Sequence, residues 1–229
     1  MCGIFGVISS QTVDPGYFRA IGGLNTVRGN RSFGVLTVAA DGSIGTTHRL
    51  TPFQADQPDQ VALENVQIAL GHVRAPTDGN ANDIMAVHPF QTPDLWMAHN
   101  GLLLNHMDHD HWRLPDAVKI DSTVLVGGIQ HHLDLMLPID KAIRHTVESL
   151  DGQQACWVWY IPNRMIYLWR VMSPIYVAQS EYTVTFSSIR SGASDRLLDE
   201  GVIYQIDPAT VTVSTIGTFN YHNPFKVRT

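Results

Sequence analysis

The residue with the most chemistry within reach is the cysteine at position 2, in "MCGIFGVIS". A thiol is a weak nucleophile until it ionises. If Met1 is removed, Cys2 becomes the first residue and its own α-amine stands beside the sulfur. An α-amine titrates near pH ~8, close enough to neutrality to take the thiol proton. One residue then supplies both nucleophile and base. The other reading is a small buried hydrophobe on a strand, and Cys2 alone favours that reading. Further along, Arg74 in "GHVRAPT" carries a guanidinium that can grip a carboxylate at two points. Thr77, three residues on, can add a hydroxyl or backbone N–H to the same group. Asp121 in "DST" suits an ammonium partner, or the N-cap of a helix starting at Ser122, or both. "HNG" at 99–101 reads locally as an Asn-Gly turn between a strand and the next element.

The elements that position these residues follow from pattern. "CGIFGVIS" reads as a first strand. A helix follows, with Asp14 as N-cap and Pro15 at its first position. "FGVLTVAADGSIGTTHRL" reads as a hairpin turning at Asp41–Gly42. "VQIALGHVRAPT" and "DLWMAHNG" are further strands. Helices are expected near 101–111, over about 122–132, and over about 139–150. From "QACWVWYI" to "TVTVSTI" the pattern returns to strands and turns. Strands, then helices, then strands argue for an α+β domain with antiparallel sheets, and two sheets sandwiched between helices fit the count.

With 229 residues, 44% apolar and 16% charged, the chain can bury a substantial core as one domain spanning 1–229. The net charge of −6 and the lack of a Lys/Arg cluster argue against nucleic acid as a partner. No apolar run reaches the length of a membrane helix, so no membrane partner is expected. Two cysteines without a secretory signal read as reduced thiols, Cys2 and Cys156, in a cytoplasmic setting. His106, Asp108, His109, Asp110 and His111 are suitable zinc ligands by type. Their spacing matches no standard motif, and the stretch reads as a solvated helix face, so no metal is expected.

Taken in order, "CGIFG", "RGNRSFG", "GHVRAPT", "HNGLLLN" and "DST" resemble the motifs of class II glutamine amidotransferase domains. "FSSIRSGASDRLLDEGVIYQI" is similar to the closing strand-turn-strand of that family, so the resemblance runs along about the whole chain. It implies the N-terminal nucleophile (Ntn) hydrolase fold, a four-layer αββα sandwich of two antiparallel sheets. It also implies roles. Cys2 is the nucleophile, with the Asn100 side chain and the Gly101 N–H as the oxyanion hole. Arg74 and Thr77 bind the glutamine carboxylate, and Asp121 binds its ammonium. Arg28 supports the chain terminus, and His99 is not required as a base. His88 in "VHPF" matches a frequent His-Pro and reads as structural. Arg31 departs from the usual family turn, and Ala75 and Asp78 depart from the pattern of the sugar-synthase branch, which argues against assignment to that branch but leaves the glutamine-hydrolysing set intact.

The expected reaction is hydrolysis of L-glutamine to glutamate and ammonia without a cofactor. The expected partner is a separate ammonia-accepting synthase chain, since no synthase segment follows. Two alternatives stay open: an amidase of the same fold acting on another γ-glutamyl compound, and a catalytically silent binding subunit.

Overall fold

The computed structural model describes residues 2–75, 80–114 and 117–223. Strand β1 (Gly3–Ser9) leads into helix α1 (Pro15–Asn25), the hairpin β2 (Ser32–Ala39) and β3 (Ile44–Arg49), and then β4 (Val66–Arg74). Strands β5 (Phe90–Gln91), β6 (Leu95–His99) and β7 (Leu102–Leu103) precede helices α2 (Asp121–Asp134) and α3 (Ile139–Ser149). The chain closes with β8 (Gly152–Tyr160), β9 (Met165–Val171), β10 (Tyr176–Gln179), β11 (Thr183–Ser187), β12 (Arg196–Leu197), β13 (Val202–Asp207) and β14 (Thr212–Thr218).

The strands form two antiparallel sheets. One runs β12-β10-β11-β1-β4-β2-β3, the other β14-β13-β9-β8-β6-β5, with β7 added against β8. Three cores separate four layers. Ile4, Ile8, Leu36, Leu70, Trp157 and Phe186 fill the space between the sheets. Phe5, Val7, Phe18, Ile21 and Phe33 pack the first sheet against α1. Met97, Val124, Ile129, Ile143 and Trp169 pack the second sheet against α2 and α3. This is the expected αββα sandwich. β1 is buried along its whole length, Ile4 and Ile8 facing one core and Phe5 and Val7 the other. Trp157 ties the layers together by donating its indole N–H to the Gly71 carbonyl at 3.2 Å.

Local signals set the element ends. Asp14 accepts from the Tyr17 N–H at 3.0 Å, with Pro15 at the first position of α1. The hairpin turns through Gly42 at φ +86°. The helix expected near 101–111 is absent. Leu102 and Leu103 pair instead with Gln153 and Gly152 of β8, and a short 3-10 segment, His106–Trp112, is kinked at His109. Long-range bonds outcompete the helix there. The Leu103 N–H goes to Asp121 and the Leu104 N–H to the Asp151 carbonyl. The Asn105 side chain bridges the Ser149 carbonyl and the Asp151 N–H. His109 stacks on Trp112, with ring centroids 4.7 Å apart.

Candidate active site

The site lies where the ends of both sheets meet the start of α2. The register of β1 on β4 pairs Gly3 with Val73, which sets Cys2, just before β1, beside Arg74 at the end of β4. From the second sheet, β6 ends at His99 and hands over to Asn100–Gly101, and α2 begins at Asp121. Cys2, Arg74, Ala75, His88, His99, Gly101, Asp121 and Ser122 share the walls of one cavity. It measures about 20 Å³, room for a water-sized group, so a larger ligand requires its walls to part. A larger cavity of about 530 Å³ lies at the opposite end of β1, near Ser10, and contains none of these residues.

The Cys2 thiol donates to the Ala75 carbonyl at 3.4 Å, and Arg28 Nε donates to the Cys2 carbonyl at 2.8 Å. Burial pushes the Cys2 thiol up, while a backbone contact at Ala75 and the nearby positive charges of the chain terminus and Arg74 pull it back. The sulfur is therefore held as a thiol until a base takes its proton. Arg74 is buried, and its Nη1 donates to the Asn80 carbonyl at 3.3 Å. Thr77 lies outside the described residues.

Asp121 is the first residue of α2, with Ile120 in the cap position, so the cap expected of Asp121 shifts by one residue. Its Oδ2 accepts from the Leu103 N–H at 3.0 Å and its Oδ1 from the Ser122 N–H at 2.7 Å. These bonds fix a carboxylate on the cavity wall. His99 has both ring nitrogens engaged, Nε2 3.1 Å from the Gln153 carbonyl and Nδ1 2.9 Å from the Ser122 hydroxyl. A carbonyl only accepts, so Nε2 carries a proton, and Nδ1 meets the hydroxyl that also reaches Asp121 Oδ1; both ring nitrogens are tied to the surrounding frame. Gly101 is obligatory: a Cβ there would lie 1.8 Å from the Gln153 oxygen and 2.5 Å from His99 Nε2. Asn100 is 1% exposed and exchanges both backbone hydrogen bonds with Ala155, at 2.8 and 2.9 Å. It adjoins Gly101 in the chain but is not among the residues that line the cavity.

Two neighbours were not singled out from sequence as chemical groups. His72 and His88 are fully enclosed, with ring centroids 4.1 Å apart, and none of their four ring nitrogens has a partner among the described residues. Burial, reinforced by the charges of His99 and Arg74, lowers His72 to about 3, and His88 also falls well below its usual value. Both are neutral. Ser122, read from sequence only as the start of a helix, links His99 to Asp121.

No family model matches the chain. Over 158 residues it is 32% identical to glutamine–fructose-6-phosphate aminotransferase (isomerizing) of Vibrio parahaemolyticus, covering 66% of this chain and 25% of that protein. Over 183 residues it is 27% identical to amidophosphoribosyltransferase of Pasteurella multocida, covering 72% and 36%. The chain is similar to class II glutamine amidotransferase domains. Solved structures carry the same fold. Glutamine phosphoribosylpyrophosphate amidotransferase from B. subtilis superposes with a TM-score of 0.72 at 18% identity, over 93% of this chain and 49% of that one. A glutamine aminotransferase class-II domain protein from Silicibacter pomeroyi gives 0.65 at 13% identity, over 96% and 100%. The fold is thus the Ntn-hydrolase sandwich. The chain spans about a quarter to a third of the length of the curated relatives it matches.

Proposed function

We propose that residues 1–229 form one glutaminase domain that hydrolyses L-glutamine to glutamate and ammonia. The observation that carries this reading is the shared cavity: Cys2 with its thiol, the buried Arg74, the fixed carboxylate of Asp121 and the close-packed Gly101 line one space. An α-amino acid with a side-chain amide complements that set. Its α-carboxylate meets Arg74, assisted by Thr77, and its α-ammonium meets Asp121. The amide carbon is then offered to Cys2.

After removal of Met1, the α-amine of Cys2 takes the thiol proton and the sulfur adds to the amide carbon. The oxyanion that forms is met by the Asn100 carboxamide and the Gly101 N–H, donors set in place before charge develops. The C–N bond breaks, and the α-ammonium returns its proton to the leaving ammonia. Water then adds to the γ-glutamyl thioester and the C–S bond breaks, releasing glutamate. Arg28 holds the Cys2 carbonyl and so orients the terminus. His99 holds Ser122 and the strand behind Gly101 rather than moving protons. Every proton in the cycle is carried by this chain's own groups and by water.

The relatives' names describe an aminotransferase and an amidophosphoribosyltransferase. By analogy the ammonia formed here passes to an ammonia-accepting synthase. No described helix is long and apolar enough to cross a membrane, and the setting proposed is the cytoplasm.

The deciding experiment is intact mass before and after a diazo-ketone analogue of glutamine, with ammonia release measured in parallel on glutamine and on a γ-glutamyl panel. Loss of Met1, one adduct on Cys2 blocked by glutamine, and preference for glutamine support the reading. Retained Met1 with no adduct refutes it and favours a silent binding subunit.

A further inference from the structure

We infer that Ser188 is a positioning residue for this reaction, tying the Asn100 carboxamide to the strand that carries Cys2. The inference rests on the glutaminase reading above. Ser188 directly follows β11 and is 1% exposed. Its N–H donates to the Ile4 carbonyl at 2.9 Å, and its Oγ accepts from the Ile4 N–H at 3.0 Å. Both backbone groups of Ile4, two residues from Cys2, are thereby held by one serine. The same Oγ accepts from Asn100 Nδ2 at 3.3 Å. The hydroxyl thus meets two N–H donors, one from β1 and one from the loop after β6.

This arrangement matters for geometry. A carboxamide NH₂ has two hydrogens. One goes to Ser188, which fixes the plane of the amide and leaves the second for the oxyanion of the proposed reaction. Without that anchor the amide can rotate, and it then offers the oxyanion its oxygen instead of its nitrogen. Displacements of about 1 Å between reacting groups are enough to cost large factors in rate. Ser188 sets this spacing across 88 residues of sequence on one side and 184 on the other.

The adjacent serine supplies the control. Ser187 Oγ also accepts two hydrogen bonds, from Asn25 Nδ2 at 2.8 Å and from the Ile189 N–H at 3.0 Å. It faces α1 on the other side of the sheet. Ser187→Ala and Ser188→Ala therefore remove the same kind of buried bonding, and only the second touches Asn100.

The test is steady-state glutamine hydrolysis by the full chain lacking Met1, with melting temperature measured for each variant. Ser188→Ala is expected to lower kcat about tenfold, the scale of one lost hydrogen bond, with KM within about twofold. Ser187→Ala keeps kcat while losing thermal stability. Asn100→Ala lowers kcat by about a hundredfold, and the double variant Ser188→Ala/Asn100→Ala is no slower than Asn100→Ala. A wild-type kcat in Ser188→Ala, or losses that multiply in the double variant, would overturn the inference. If Ser188→Ala does not fold, Ser188→Cys carries the same cycle with a weaker acceptor. A wild-type chain inactive on glutamine instead fails the proposed function, which separates the two failures.

Discussion

The enclosed imidazoles of His72 and His88 make the fold acid-labile, and the size of the effect can be worked out. An exposed histidine titrates near 6.5, whereas burial holds His72 at about 3. Below pH 6.5 the unfolded chain therefore binds protons that the folded chain does not. Stability is full above that pH and falls as the pH drops toward 3. Between pH 7 and pH 5 the loss from His72 is about 2 kcal/mol, from the linkage integral between those two values. Burial displaces His88 in the same direction, so it adds to the loss on acidification.

Urea unfolding followed by circular dichroism at pH 7, 6 and 5, at fixed ionic strength, measures this directly. His72→Phe keeps a ring in the slot and removes one titration, so its loss between pH 7 and 5 should be smaller than the wild type's by about 2 kcal/mol. A wild-type loss below about 1 kcal/mol would refute the reasoning, since a neutral buried pair cannot produce it. So would an unchanged pH dependence in His72→Phe, which would assign the loss to other groups.

Three further outcomes follow from the site. Cys2→Ala should abolish glutamine hydrolysis and adduct formation while costing about 1 kcal/mol of stability or less by urea unfolding, because this partly buried side chain makes one weak bond. Arg74→Lys should raise KM for glutamine by about 10- to 100-fold, because an ammonium cannot grip a carboxylate bidentately; saturation kinetics check this. Gly101→Ala should destabilise the protein by about 2–3 kcal/mol, since its methyl meets the Gln153 oxygen at 1.8 Å and β8 must shift; calorimetry reads the loss, and an unchanged melting temperature would contradict the close approach.

Much of the scaffold follows from short-range rules and is legible without coordinates. The Asp14–Pro15 start of α1, the Asp41–Gly42 turn and the apolar runs of β1, β4, β8 and β9 depend on a residue's own preferences and its immediate neighbours. The order of the motifs likewise names the residues that meet in the cavity, because Cys2, Arg74, His99, Gly101 and Asp121 each close or open an element whose end is marked locally. What sequence could not decide is whatever depends on partners far along the chain. The 101–111 stretch reads as a helix, yet Asp121, Ser149 and Asp151 capture its polar groups and hold it open. His72 and His88 look like ordinary strand and loop residues until two sheets close over them and strip their nitrogens of partners. Ser188 looks like one of two serines at a strand end until β1 and the loop after β6 converge on its hydroxyl. Periodicity reports which face of an element is buried; which groups meet on that face is set only when the sheets pair and stack.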